Sequence, residues 1–156
     1  MEQYLNNREI IKNLKLNTGT SSNPVYTSMC TTSEISVSTD FETTDFYVFC
    51  DAIQRSLITG VAITLETTVK LDINNTAIQS VLSMVNTAIA SGTIAQFNNQ
   101  KVQFDLLSGI SGGTLQYTTY TADATLEFSD LGGGAEEEGE FSLNIHINGA
   151  TASASS

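Results

Sequence analysis

The clearest signal in the chain is a strict two-residue alternation after Gly60. Val61, Ile63, Leu65, Thr67, Val69 and Leu71 share one face; Ala62, Thr64, Glu66, Thr68, Lys70 and Asp72 share the other. At about 3.3 Å per residue this predicts a strand of roughly 36 Å, about twice the usual length. One apolar and one polar side place such a strand in a sheet with a core on one face and water on the other. The same alternation runs through Glu34-Ile35-Ser36-Val37-Ser38, within a strand expected over Val25–Thr39. It returns in Phe141, Leu143, Ile145 and Ile147, with Ser142, Asn144 and His146 opposite. Further strands are expected at Thr93–Phe97 and Lys101–Leu107 with Asn98-Asn99 as the turn between them, then a loop over Ser108–Gly113. Leu115–Phe128 is a long β segment whose apolar parity changes, which predicts a bulge near Thr118–Thr119.

One segment switches to the helical period. Ile78, Val81, Leu82, Val85, Ala88 and Ile89 make a stripe, Asn74 or Asn75 can cap it, and Gly92 is placed to stop it. Two stretches obey neither period. Residues 1–23 carry Tyr4, Leu5, Ile10, Ile11, Leu14 and Leu16 without clean spacing; they read as an arm that packs on a neighbour or as an ordinary first element of the domain. Residues 40–58 hold Phe41, Phe46, Tyr47, Phe49, Leu57 and Ile58, too apolar for a simple loop, and read as a short strand inside a long excursion. The expected organisation is an arm at 1–23, one β domain at 24–149 and a flexible tail at 150–156. The fold class is mainly β: a β-sandwich or barrel with one α-helix packed on its side.

Composition narrows the function. The 156 residues carry a formal charge of −11, and three of only six basic residues (Arg8, Lys12, Lys15) lie near the start. Such an acidic body repels phosphate, which argues against nucleic-acid binding but not against a surface past which DNA slides. No run approaches the roughly 18 apolar residues of a membrane span, and the charged N-terminus does not read as a signal peptide. Cys30 and Cys50 read as free thiols of a reducing compartment. Catalytic chemistry is hard to assemble. His146 is the one histidine, one His and two separated Cys cannot fill a zinc site, and Glu136, Glu137, Glu138 and Glu140 lack calcium-loop spacing. Gly132-Gly133-Gly134 is followed by neither Lys-Ser nor Lys-Thr. The expectation is a non-enzyme with no metal and no cofactor.

The order of elements resembles the major tail tube proteins of long-tailed bacteriophages, which share a fold with the tube of type VI secretion. SEISVSTDFETTD leads into the long loop, SLITGVAITLETTVKLD follows, then the helical NNTAIQSVLSMVNTAIASG, and GEFSLNIHINGA closes after a glycine-rich loop. The resemblance covers roughly residues 24–149. It implies a virion protein whose long strands join between subunits into stacked hexameric rings around a DNA channel. Implied partners are copies of itself and other tail proteins (tape measure, tail tip, terminator), with DNA passing without specific binding and no membrane. It makes Ser36, Ser38, Thr64, Glu66, Thr68, Ser142, Asn144 and His146 the candidates for the channel face. Arg8, Ile11, Lys12, Lys15, Phe41, Phe46 and Phe49 are the candidates for contacts between subunits or rings. Two other classes stand beside it: another self-assembling tube or terminator protein, and a monomeric β-sandwich binding module.

Overall fold

A computed structural model describes residues 4–6, 9–20, 22–29, 32–47, 53–72, 74–129, 131–132, 135 and 139–155. Seven strands make one antiparallel sheet: β1 (Ile11–Asn17), β2 (Tyr26–Ser28), β3 (Thr32–Phe46), β4 (Arg55–Lys70), β5 (Gln100–Ser111), β6 (Thr114–Ser129) and β7 (Glu140–Ser155). Their order across the sheet is β2-β1-β5-β6-β7-β4-β3. The two edge strands, β2 and β3, are separated in the chain by residues 29–31 only. Six strand spacings of about 4.8 Å would hold flat edges about 29 Å apart, whereas the four peptide steps from Ser28 to Thr32 reach at most about 14 Å. The sheet therefore curls until its edges approach, which is the expected sandwich or barrel character.

The apolar rows meet on one face. Leu65 lies opposite Ile145, Thr67 opposite Leu143 and Val69 opposite Phe141; across β7, Leu126 and Phe128 continue the rows. Leu65, Val69, Leu143, Ile145 and Phe141 are essentially fully buried, joined by Val102, Phe104, Ala122 and Ala124. Phe128 packs on Phe141 and, edge-on, on Phe97. Thr67 is the one buried polar side chain in these rows, and its hydroxyl donates to the Leu143 carbonyl at 2.8 Å, so its burial leaves no unmet bond.

Helix α1 (Thr76–Ser91) joins this core. Asn75 caps it, its side chain accepting from the amides of Ala77 and Ile78 while donating to the Ser28 carbonyl, and Gly92 ends it at φ 70°. The buried stripe is Ala77, Ile78, Val81 and Met84. Ile89, expected on that stripe, is 80% exposed, because the helix touches the core with its first half and runs past it with its last turn.

Several expectations are corrected. Ile11–Asn17 is no arm: it is β1, antiparallel to β5, with Ile11, Leu14 and Leu16 buried. Asn13 adopts φ 56° in a bulge between Lys12 and Lys15, and that extra residue is why the spacing 11, 14, 16 matches no period. Val25–Thr39 is two strands, β2 and β3, on opposite edges. Residues 40–58 are not a loop with a short strand; their described part is the outer half of the β3–β4 hairpin, where a register shift between Glu42 and Thr43 adds Thr59 to β4 and breaks the alternation. Thr93–Phe97 is not a strand: Ala95–Asn98 forms a short helix, α2, and Asn98-Asn99 leads from it into β5 rather than closing a hairpin. Ser108–Ser111 belongs to β5, with the turn at Gly112 and Gly113, both at positive φ. Strand β6 carries no bulge at Thr118–Thr119. The extra residues sit in its neighbours, Ser108 in β5 and Asn148 in β7. The expected tail is strand to Ser155.

Candidate assembly surfaces

All eight residues proposed for the channel face lie on one side of the sheet, opposite the core. Register places them in cross-strand rows: Ser38, Thr64, His146 and Thr125; Ser36, Glu66, Asn144 and Glu127; Thr68, Ser142 and Ser129. Alternation along each strand selects the face, and pairing between strands brings the residues together. Lys70 pairs with Glu140 at 3.3 Å and Lys101 with Asp123 at 3.2 Å on the same side. These exposed pairs add little stability but keep the face hydrated.

His146 is held at both ring nitrogens, Nδ1 lying 3.1 Å from Thr64 Oγ1 and Nε2 2.9 Å from Glu127 Oε2. A carboxylate only accepts, so in the neutral ring Nε2 donates to Glu127 and Nδ1 accepts from the Thr64 hydroxyl. The ring thus ties β4, β7 and β6 together. Hydroxyl, imidazole and carboxylate in line invite a catalytic comparison. Thr64 and His146 instead stand on an open sheet face, and among the described residues no group of three His, Cys, Asp or Glu is placed to hold a metal.

The polar face is not flat. An open cleft of about 850 Å³ lies between β1 and strands β3, β4 and β7, with Lys12 and Asn13 on one wall and Glu34, Ser36, Glu66, Thr68, Ser142 and Asn144 on the other. The Lys12 ammonium sits 3.8 Å from the centre of the Tyr117 ring. Tyr117 in turn donates from its hydroxyl to the Glu9 carbonyl at 2.7 Å.

The second surface is the outer half of the β3–β4 hairpin. Strand β7 pairs with β4 only from Ile63 to Lys70, so Asp40–Phe46 and Arg55–Ala62 form a two-stranded ribbon with no third strand among the described residues. Phe41 lies opposite Val61, and Thr43 opposite Ile58, in line with the core face. Phe41 is 53% exposed, Val61 51% and Ile58 61%, so the apolar rows of the core run out into solvent. Phe46 and Leu57 lie on the ribbon's other side and are also exposed. A two-stranded ribbon is marginal by itself, and contiguous exposed apolar surface marks an interaction site. The outer edge of β3 and the stretch of β7 beyond Ile147 are free of a second neighbour among the described strands.

Of the residues proposed for subunit contacts, Phe41 and Phe46 lie on this ribbon, and Lys12 and Lys15 lie on β1. Ile11 is 3% exposed and belongs to the core, so it is withdrawn as a contact residue. Arg8 and Phe49 lie outside the described residues, as do Cys30, Cys50 and Glu136–Glu138. The sequence reading missed that Leu57, Ile58 and Val61 share one exposed ribbon with Phe41 and Phe46; recognising 40–58 as strand paired up to Val61 would have exposed this. Among the described residues no helix is long and apolar enough to cross a membrane.

The curled antiparallel sheet with a helix at its side is a shape shared with solved tail and tube proteins. No protein-family profile matches the sequence, and no curated protein matches it in sequence. Solved structures do match in shape. The tail tube of SPP1 aligns over 94% of this chain and 78% of its own, with a TM-score of 0.55 at 12% identity. The tail of an empty GTA particle aligns over 98% and 100%, with a TM-score of 0.51 at 11% identity. The cap that terminates the anti-feeding prophage tube aligns over 99% and 95%, with a TM-score of 0.52 at 10% identity. At such identities the likeness is one of fold.

Proposed function

We propose that this chain is a structural subunit of a phage-type tail, polymerising as stacked, six-membered rings into a hollow tube that conducts DNA. The observation that carries the reading is the β3–β4 ribbon, whose exposed apolar rows extend the core face beyond the domain. Alone, the chain leaves that surface in water; in a polymer a neighbour covers it. The free edge of β3 adds a second contact, because pairing it with another copy removes an edge that invites uncontrolled association. The matched shapes of tube and tail proteins support the same conclusion.

In this reading the partners are other copies of the chain and the tail proteins at the tube's ends and within it. The protein resides in the virion tail and has a structural role rather than a catalytic one. The eight-residue polar face lines the channel. Glu66 and Glu127 stand at its centre beside Ser, Thr and Asn side chains, an acidic and hydrated lining that repels phosphate and lets DNA pass without adhering. Electron microscopy of the purified protein across concentrations tests the proposal together with Phe41→Asp and Val61→Asp. Wild-type chains form rings or tubes, and each variant remains a folded single subunit. Variants that assemble like the wild type would exclude the ribbon as the contact.

A further inference from the structure

Asn148-Gly149 is the only Asn-Gly pair in the chain. That pair is the strongest short turn signal in sequence, yet here it lies inside the sixteen-residue strand β7. The ladder accommodates it as an irregularity: Asp123 faces Gly149 and Ala124 faces Ile147, leaving Asn148 as the extra residue. On the other side, β4 stops pairing at Ile147. Both residues are exposed, and a Cβ built at Gly149 would meet nothing within 4 Å. The Asn148 amide is held by one bond, Nδ2 donating to Thr125 Oγ1 at 2.9 Å.

We propose that Asn148 is a site of spontaneous, backbone-assisted deamidation. The amide nitrogen of Gly149, a residue with no side chain of its own to hinder the approach, attacks Asn148 Cγ. The new N–Cγ bond forms as the Cγ–Nδ2 bond breaks, and Nδ2 departs as ammonia with the proton that the attacking nitrogen loses. Water then opens the five-membered imide at one carbonyl or the other, giving aspartate or an isoaspartyl linkage. The reaction needs no oxidant or cofactor. The bulge supplies the local freedom that a regular ladder position denies. The aspartyl product places a carboxylate beside Thr125, near Glu127. The isoaspartyl product adds a carbon to the backbone where β7 leaves β4 and offsets residues beyond Gly149 from their partners between Tyr117 and Asp123. The inference is independent of assembly into tubes.

The test is incubation of the full chain at mildly alkaline pH in heavy-oxygen water, followed by peptide mapping, with a synthetic peptide spanning Ile145–Ala152 alongside. Asn148 is expected to gain one oxygen label and split into aspartyl and isoaspartyl forms ahead of the other asparagines. Gly149→Ala, which the open space accommodates, is expected to suppress the conversion with an unchanged circular-dichroism spectrum. An unlabelled Asn148 in the protein, whether or not the peptide converts, would overturn the proposal, and so would equal labelling in Gly149→Ala.

Discussion

Asn75 shows how much one side chain settles. Its oxygen caps two amides of α1 while its nitrogen reaches the Ser28 carbonyl, fixing the helix start against β2. Asn75→Ala should cost about 1 kcal/mol for the cap and somewhat more for the orphaned Ser28 carbonyl, read as a lower denaturation midpoint with an unchanged slope. Leu65 lies at the centre of the buried rows with no exposure, so Leu65→Ala should cost about 2–5 kcal/mol, measured the same way. A loss below 1 kcal/mol would mean that β4 does not carry the core. At this scale the sequence was most readable. Alternation named Leu65, Val69, Phe141, Leu143 and Ile145 as core and put their neighbours on the opposite face, because period-two patterning follows directly from strand geometry. Asn13 and Thr59 were not legible: nothing in their identity announces an extra residue, and each one hid a strand from pattern reading.

Among the elements, β1 and the ribbon carry the sharpest expectations. Residues 1–16 include Ile11, Leu14 and Leu16, all buried, so deleting them should abolish folding, read by loss of the cooperative thermal transition, instead of merely blocking assembly. Deletion of residues 1–8 spares β1 and isolates any contact made by the segment before it. The ribbon behaves oppositely. Phe41→Asp and Ile58→Asp change exposed positions, so their thermal midpoints should stay close to the wild type while assembly is lost. A large drop in midpoint would place those side chains in the subunit's own core. Residues 40–58 resisted sequence reading for a physical reason: a ribbon with exposed apolar residues on both sides lacks the one-sided polarity that identifies a strand of an isolated domain. The short helix α2 resisted for another, since Thr93–Phe97 is too brief for either period to declare itself.

For the whole molecule, the curl of the sheet follows from topology, as edge strands three residues apart in sequence cannot sit at the ends of a flat sheet. What the sequence alone could not supply was the strand order that puts β2 and β3 there, because pairing partners are set by long-range contacts. Strand register gathers the polar rows on one face, and the β3–β4 ribbon extends beyond the last pairing with β7. An acidic face predicts that assembled protein does not retain duplex DNA at physiological salt, measurable by co-sedimentation; retention that weakens steeply as salt rises would contradict a repelling lining. The most direct test of the central claim is negative-stain electron microscopy of the wild-type protein over a concentration series, with tail-tip complexes added as nuclei. Hollow tubes or stacked rings with a common axis are the predicted result. Uniform single subunits at every concentration, with and without nuclei, would contradict it.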